Sequence, residues 1–280
     1  MVILSLVSLA SAEPDQISLS AMTDWEGIPY TNTTSINIAY EQVVKQLGAA
    51  IANTGANPAN TIGIYGVELS FRNSFSFIDT KRELNNAPSP WALVTPDEEP
   101  VPILWTPEVQ VRKGLPLSME IGAKVGYLGF SKQGSFGGWF RIAPVEGYEM
   151  APDISFQVGY AGYVGSPELG AGAMDLNMTI GKNFAFGPLT GVNSSVISPF
   201  LSAGMFTIRA SPRISRDEQS QMGISAVSGF SSSDFFTEGY SPIFVAAGTT
   251  IRSSDVYFQL DYRYTIGLLS TFGVNMGLTY

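Results

Sequence analysis

From Thr61 onward, apolar side chains recur at every second residue in one segment after another. That period belongs to an extended strand, whose successive side chains point to opposite faces of a sheet. In 61–78, Gly63, Tyr65, Val67, Leu69 and Phe71 share one face, and Ile62, Ile64, Gly66, Glu68, Ser70 and Arg72 the other. In 117–130, Leu117, Met119, Ile121, Ala123, Val125 and Tyr127 oppose Ser118, Glu120, Gly122, Lys124 and Gly126. The same alternation sets Phe156, Val158 and Tyr160 against Gln157 in 153–165, and Met174, Leu176 and Met178 against Asp175 and Asn177 in 173–182. In 256–266 it sets Phe258, Leu260, Tyr262 and Tyr264 against Gln259, Asp261 and Arg263. Each segment keeps its charges on one face. A Lys or Arg facing lipid at mid-bilayer costs ~2–4 kcal/mol, so the uncharged face is compatible with a membrane.

Composition narrows the choice. Charged residues make up only 14% of the chain, against roughly 25% in a soluble domain. Yet beyond the N-terminus no stretch has the ~18 consecutive apolar residues of a membrane helix. Apolarity dispersed along strands points to a closed barrel, the strand structure that satisfies every backbone group inside a bilayer. A soluble β-sandwich is the alternative for the whole class.

The net charge of -9 argues against nucleic acid as a partner and against docking on anionic membranes through a basic patch. The chain has no His, which removes Ser-His and Cys-His nucleophiles and His metal ligation. Gly170-Ala171-Gly172 lacks a phosphate-loop pattern. No cofactor, metal site or catalytic residue is expected. Glu120 and Asp261 have cations nearby, which would keep them ionised rather than poised for acid-base work.

The N-terminus reads differently. Val2 to Leu9 form a short apolar core, and Ala10-Ser11-Ala12 supplies a small-x-small cleavage pattern, so 1–12 read as a signal peptide. In 36–54, Ile36, Tyr40, Val43, Val44, Leu47 and Ile51 fall at helical spacing, with Glu41, Gln42, Lys45 and Gln46 opposite. Ser35 is the expected N-cap and Gly55 the stop. Residues 13–60 thus form an N-terminal periplasmic or plug segment, and 61–280 the barrel. An amphipathic helix needs cover, so it plugs the lumen, caps the periplasmic mouth or binds a periplasmic partner.

Strands are expected at 61–78, 103–112, 117–130, 136–145, 153–165, 173–182, 198–210, 242–252, 256–267 and 271–280. This is an all-β, antiparallel up-and-down transmembrane barrel of about ten strands. Pro107 interrupts one of them. Twelve is the alternative, because 211–241 is long enough to hide a hairpin and a helix roughly 10 Å wide crowds a ten-stranded lumen.

The last strand is the most specific feature. Phe272, Val274, Met276, Leu278 and Tyr280 alternate with Gly273, Asn275, Gly277 and Thr279 up to a terminal aromatic residue. It resembles the sorting signal of Gram-negative outer-membrane β-barrel proteins. The resemblance implies residence in the bacterial outer membrane, with the barrel-assembly machinery, outer-membrane lipid and lipopolysaccharide as partners.

Three same-face pairs of opposite charge, Glu68 with Arg72, Glu120 with Lys124 and Asp261 with Arg263, would line the lumen. Arg141, Gln157, Asp175, Asn177 and Arg209 would join them. Trp91, Trp105, Trp139, Tyr65, Tyr127, Tyr160, Tyr262 and Tyr280 would form interfacial girdles. Asp97-Glu98-Glu99 reads as a solvated acidic loop. The leading functional reading is a small channel, or a transporter or binder of a small solute or lipid-like molecule, gated by the N-terminal helix. The alternative is a structural or surface-interaction barrel with a filled lumen and partner-binding outer loops.

Overall fold

The computed structural model describes residues 17–22, 33–52, 57–78, 80, 89–95, 100–129, 131–186, 195–228 and 241–280. The expected signal peptide, the expected helix stop Gly55, and Asp97-Glu98-Glu99 lie outside the described residues. Strands run as β1 (Val67–Phe77), β2 (Ile103–Leu115), β3 (Met119–Tyr127), β4 (Gly134–Val145), β5 (Asp153–Val164), β6 (Leu169–Gly181), β7 (Phe184–Phe186), β8 (Ser195–Pro212), β9 (Val227–Ser228), β10 (Ile243–Ser253), β11 (Val256–Thr265) and β12 (Leu269–Thr279). Helices are α1 (Thr33–Ile51), α2 (Pro90–Val94) and α3 (Arg216–Met222), with a 3-10 turn at Ser20–Met22.

Every barrel strand pairs antiparallel with its chain neighbour. β12 pairs with β1, and β8 with β10, so ten strands close into a ring. β7 and β9 add short pairings to the two ends of β8 and are not staves. All ten expected strands are present. The segment 211–241 holds α3 and β9 among its described residues instead of a further pair of staves. β1 begins at Val67, six residues after the alternation does, because the chain first makes a turn with Gly63 at φ 79. β2 passes straight through Pro107, which faces outward opposite Asn73.

Alternate residues on the outside are exposed and apolar: Leu69 and Phe71 on β1, Val109 and Val111 on β2, Phe156 and Val158 on β5, Leu176 and Met178 on β6, Met276 and Leu278 on β12. Inward neighbours are buried and polar over most of the height, Glu68, Glu120, Gln157, Asp175, Asp261 and Asn275 among them. Turns at one end are short, as between β2 and β3 or β10 and β11, except the connection from β6 to β8 that carries β7. The other end carries the connections with α2 and α3. Short turns are periplasmic and long loops extracellular, which orients the barrel. Tyr65, Tyr148 and Tyr280 mark the periplasmic rim, and Trp105, Tyr127, Tyr160, Tyr262 and Tyr264 the outer half. Trp91 and Trp139 are not girdle residues. Trp91 is buried at the outer mouth, and the Trp139 ring turns inward over Gly122.

In the outer loop, α3 is closed by a capping box: Ser215 Oγ accepts from Glu218 N, and the Glu218 carboxylate accepts from Ser215 N. The bonds to Ser215 hold the Glu218 carboxyl below its ordinary range. A lowered folded-state value means the cap contributes at neutral pH and is lost as pH falls through that value. The side-chain carboxyl resonance of Glu218 is expected to titrate below that of a free glutamate, and in Ser215→Ala to return toward it.

Candidate functional site

The lumen is filled in two layers. The outer layer is α1. It starts two residues before the expected N-cap and ends at Ile51, short of the expected 54. It lies inside the ring, not across the periplasmic mouth. Gln46 meets the outer turn at the Leu268 carbonyl (3.5 Å) and accepts from Trp91 Nε1 of α2 (2.5 Å). Residues 17–22 sit at the same end, where Ser18 N donates to the Val94 carbonyl and Ser20 N and Oγ donate to Glu168 in the β5–β6 turn. The helix therefore enters from the outer mouth. The chain next appears at Asn57 near the periplasmic end, where Arg141 donates to the Pro58 (2.6 Å) and Asn60 (3.1 Å) carbonyls.

Ten strands accommodate this helix because it is thin where it is most enclosed. Gly48, Ala49, Ala50 and Ala52 present almost no side chain, and an added Cβ at Gly48 would lie 2.8 Å from Ile208 Cγ1. Around it the barrel wall reverses polarity. The inward residues of the outer third include Leu104, Leu128, Leu169, Phe206, Ile208 and Phe244, continuous with Tyr40, Val43, Val44, Leu47 and Ile51 of α1 in one core, with Ser76, Thr106, Ser135, Thr265 and Thr271 completing the ring on other strands. The last helical carbonyls, which lack helical partners, are met by cations from the wall. Arg263 Nη2 donates to Ala49 O (2.8 Å) and Lys124 Nζ to Ile51 O (2.9 Å).

The inner layer is an ion-pair network. Arg112 grips Glu68 with Nε (2.7 Å) and Nη2 (2.5 Å) and reaches Glu120 with Nη1 (3.2 Å). The second Glu120 oxygen accepts from Arg141 (3.0 Å). Tyr257 Oη donates to Glu68 (2.7 Å), and Asn275 donates to Tyr257. Halfway up, Lys124 pairs with Glu108 (2.6 Å), Arg72 with Asp261 (2.7 Å), and Asn177 donates to Asp175. Gly273 leaves the space for the Arg72–Asp261 pair, since a Cβ there would meet Arg72 Nη2 at 2.4 Å.

Ten of the eleven expected lumen residues point inward: Glu68, Arg72, Glu120, Lys124, Arg141, Gln157, Asp175, Asn177, Asp261 and Arg263. Arg209 does not. It is exposed on the outer surface of β8, while its neighbours Ile208 and Ala210 turn inward. The pairings also differ from the same-strand expectation. Residues four apart on a strand are separated by about 13 Å, whereas cross-strand neighbours lie ~5 Å apart. Glu68 therefore takes Arg112 directly opposite, Glu120 takes Arg141, and Arg72 reaches across β12 to Asp261. Glu108, Gln110, Arg112, Tyr257 and Asn275 also line the lumen, beyond the expected set. The alternation of Glu108, Gln110 and Arg112 with Val109 and Val111 is the signal that exposes them.

A closed antiparallel ring with an apolar outer belt and a charged interior is a transmembrane β-barrel, and its place is the bacterial outer membrane. No family model matches the chain, and no curated protein does. Among solved structures, it is similar to the Acinetobacter baumannii outer membrane protein Omp33 at 10% identity, covering 78% of this chain and 100% of that one, with a TM-score of 0.30. It is similar to the transport unit of the Escherichia coli autotransporter AIDA-I at 11% identity, covering 88% and 98%, with a TM-score of 0.38. A third similar structure, the KdgM porin, has 6% identity, 76% and 99% coverage and a TM-score of 0.31. At these levels the similarity concerns the barrel architecture alone.

Proposed function

We infer that this barrel works from its outer face as a surface-interaction protein, its lumen occupied by its own N-terminal helix. The observation that carries this reading is the apolar sleeve. A helix meant to leave a water-filled lumen would face polar walls; α1 is instead packed against Leu104, Phe206, Ile208 and Phe244. Burial of a Leu or Val side chain contributes roughly 1.5–3 kcal/mol, so withdrawing α1 would expose several such side chains at once. The outer mouth is correspondingly built up by α2 and residues 17–22. Beside α1, a polar groove of about 390 Å³ opens between Glu41, Gln42, Lys45 and Leu268. It offers a partner or a small polar solute a site on the outer face.

The second reading is a channel for a small solute or lipid-like molecule, gated by α1. The charged inner layer favours it, since a packed interior needs no such polar lining. Lack of Cys makes one experiment decisive. In Gly48→Cys/Ile208→Cys the new sulfurs would share the contact that now brings the Gly48 Cβ position to 2.8–3.0 Å from three carbons of Ile208. Planar bilayers are expected to show the same silence for the oxidised and reduced forms. Conductance that appears on reduction and vanishes on reoxidation would overturn the filled-barrel reading in favour of the gate.

A further inference from the structure

The outer belt ends unevenly. On β8 the outward residues run Leu201, Ala203, Met205, Thr207, Arg209, Ser211, so apolar character stops at Met205 and a guanidinium follows four residues higher. Arg213 stands just beyond, also exposed. Both border a groove of about 550 Å³ on the outward surface of β4, β5, β6 and β8. Its other wall is apolar and aromatic: Phe136, Tyr160, Val164 and Met174. Its glycines give their side-chain space to that wall. The Phe136 ring lies over Gly162, with 2.8 Å to an added Cβ, and Tyr160 Oη leans over Gly172 at 2.6 Å. The Arg213 guanidinium lies over Gly170 at 3.0 Å.

Neither arginine forms an ion pair among the described residues. The acidic side chain of the adjoining turn, Glu168, is already engaged by Ser18 and Ser20. An unpaired cation beside an apolar trough, at the height where acyl chains give way to headgroups, calls for a ligand with both parts. Arginine matches phosphate through parallel N–H donors.

We propose that this groove binds a phosphorylated, multiply acylated glycolipid of the outer leaflet, with an acyl chain along the Phe136, Tyr160, Val164 and Met174 wall and a phosphate on Arg209 and Arg213. The site is independent of the lumen and of the functional reading above. Its test uses the full chain in detergent and native mass spectrometry, with bisphosphorylated lipid A, dephosphorylated lipid A and inorganic phosphate as probes. The wild type is expected to prefer the phosphorylated lipid by about ten-fold or more, the scale of one charge-assisted hydrogen bond. Arg209→Ala/Arg213→Ala should erase that preference. Val164→Trp, which fills the apolar wall and keeps both charges, should weaken both lipids alike. Heat-modifiable migration on a denaturing gel confirms that each variant is folded. Equal binding of the two lipids by the wild type, an unchanged preference in the double variant, or competition by inorganic phosphate at the lipid's own concentration would overturn the assignment.

Discussion

Replacing Glu120 by alanine is expected to destabilise the barrel by about 3–5 kcal/mol, the cost of breaking a buried pair from one side. Glu120 is fully buried and gives one oxygen to Arg112 and the other to Arg141. Without it two guanidinium groups lie close together in the inner layer with one carboxylate fewer. Arg112 retains Glu68, and Arg141 retains the Pro58 and Asn60 carbonyls, which places the loss toward the lower end of that range. Glu41→Ala, in the half-buried i,i+4 pair with Lys45 on α1, should cost only about 0.3–0.5 kcal/mol. Urea midpoints followed by tryptophan fluorescence in detergent measure both. A Glu120→Ala midpoint no lower than that of Glu41→Ala would mean that water screens the inner layer.

How far the sequence carries can be seen on β8. The ten strands, their outward faces and the closing strand up to Leu278 follow from two-residue alternation. So do ten inward residues, because over most of the height charge and burial change face together. The rule fails where α1 enters. There the wall must be apolar on the inside to pack Val43, Val44 and Leu47, so Phe206 and Ile208 turn inward and Arg209 turns out. A reader who equates charge with the lumen places Arg209 wrongly for that reason alone. Trp139 is misplaced likewise: a strand tryptophan looks interfacial, but Gly122 opposite it makes room for the ring indoors. Ion-pair partners were illegible because they depend on register across strands, which same-strand spacing does not contain. Insertion of α1 into only ten strands turned on Gly48 and its neighbouring alanines, small residues that an amphipathic pattern does not weigh.

Leu47→Asp is expected to expel α1 and leave the barrel standing. Leu47 has no exposed surface and sits among the sleeve residues. Loss of a buried leucine costs about 2–5 kcal/mol, and a carboxylate in its place adds the penalty of an unpaired buried charge. The ring itself does not depend on the helix. Its backbone ladder is closed by β12–β1 and β8–β10 pairing, and the inner network from Glu68 to Arg141 lies below Ile51. Besides the sleeve packing, α1 gives up its Gln46 bonds to Leu268 and Trp91 and the Lys124 and Arg263 contacts to its carbonyls, and Lys124 keeps Glu108. Tryptic cleavage after Lys45 should therefore rise by about three orders of magnitude, the population shift that ~4 kcal/mol produces, while heat-modifiable migration persists. Planar bilayers should stay silent, because the inner ion-pair layer keeps its side chains and Arg141 still holds the Pro58 and Asn60 carbonyls inside the lumen. Unfolding of the whole chain at the same denaturant concentration that frees Lys45 would instead make α1 a member of the barrel's own core, inseparable from the strands that enclose it.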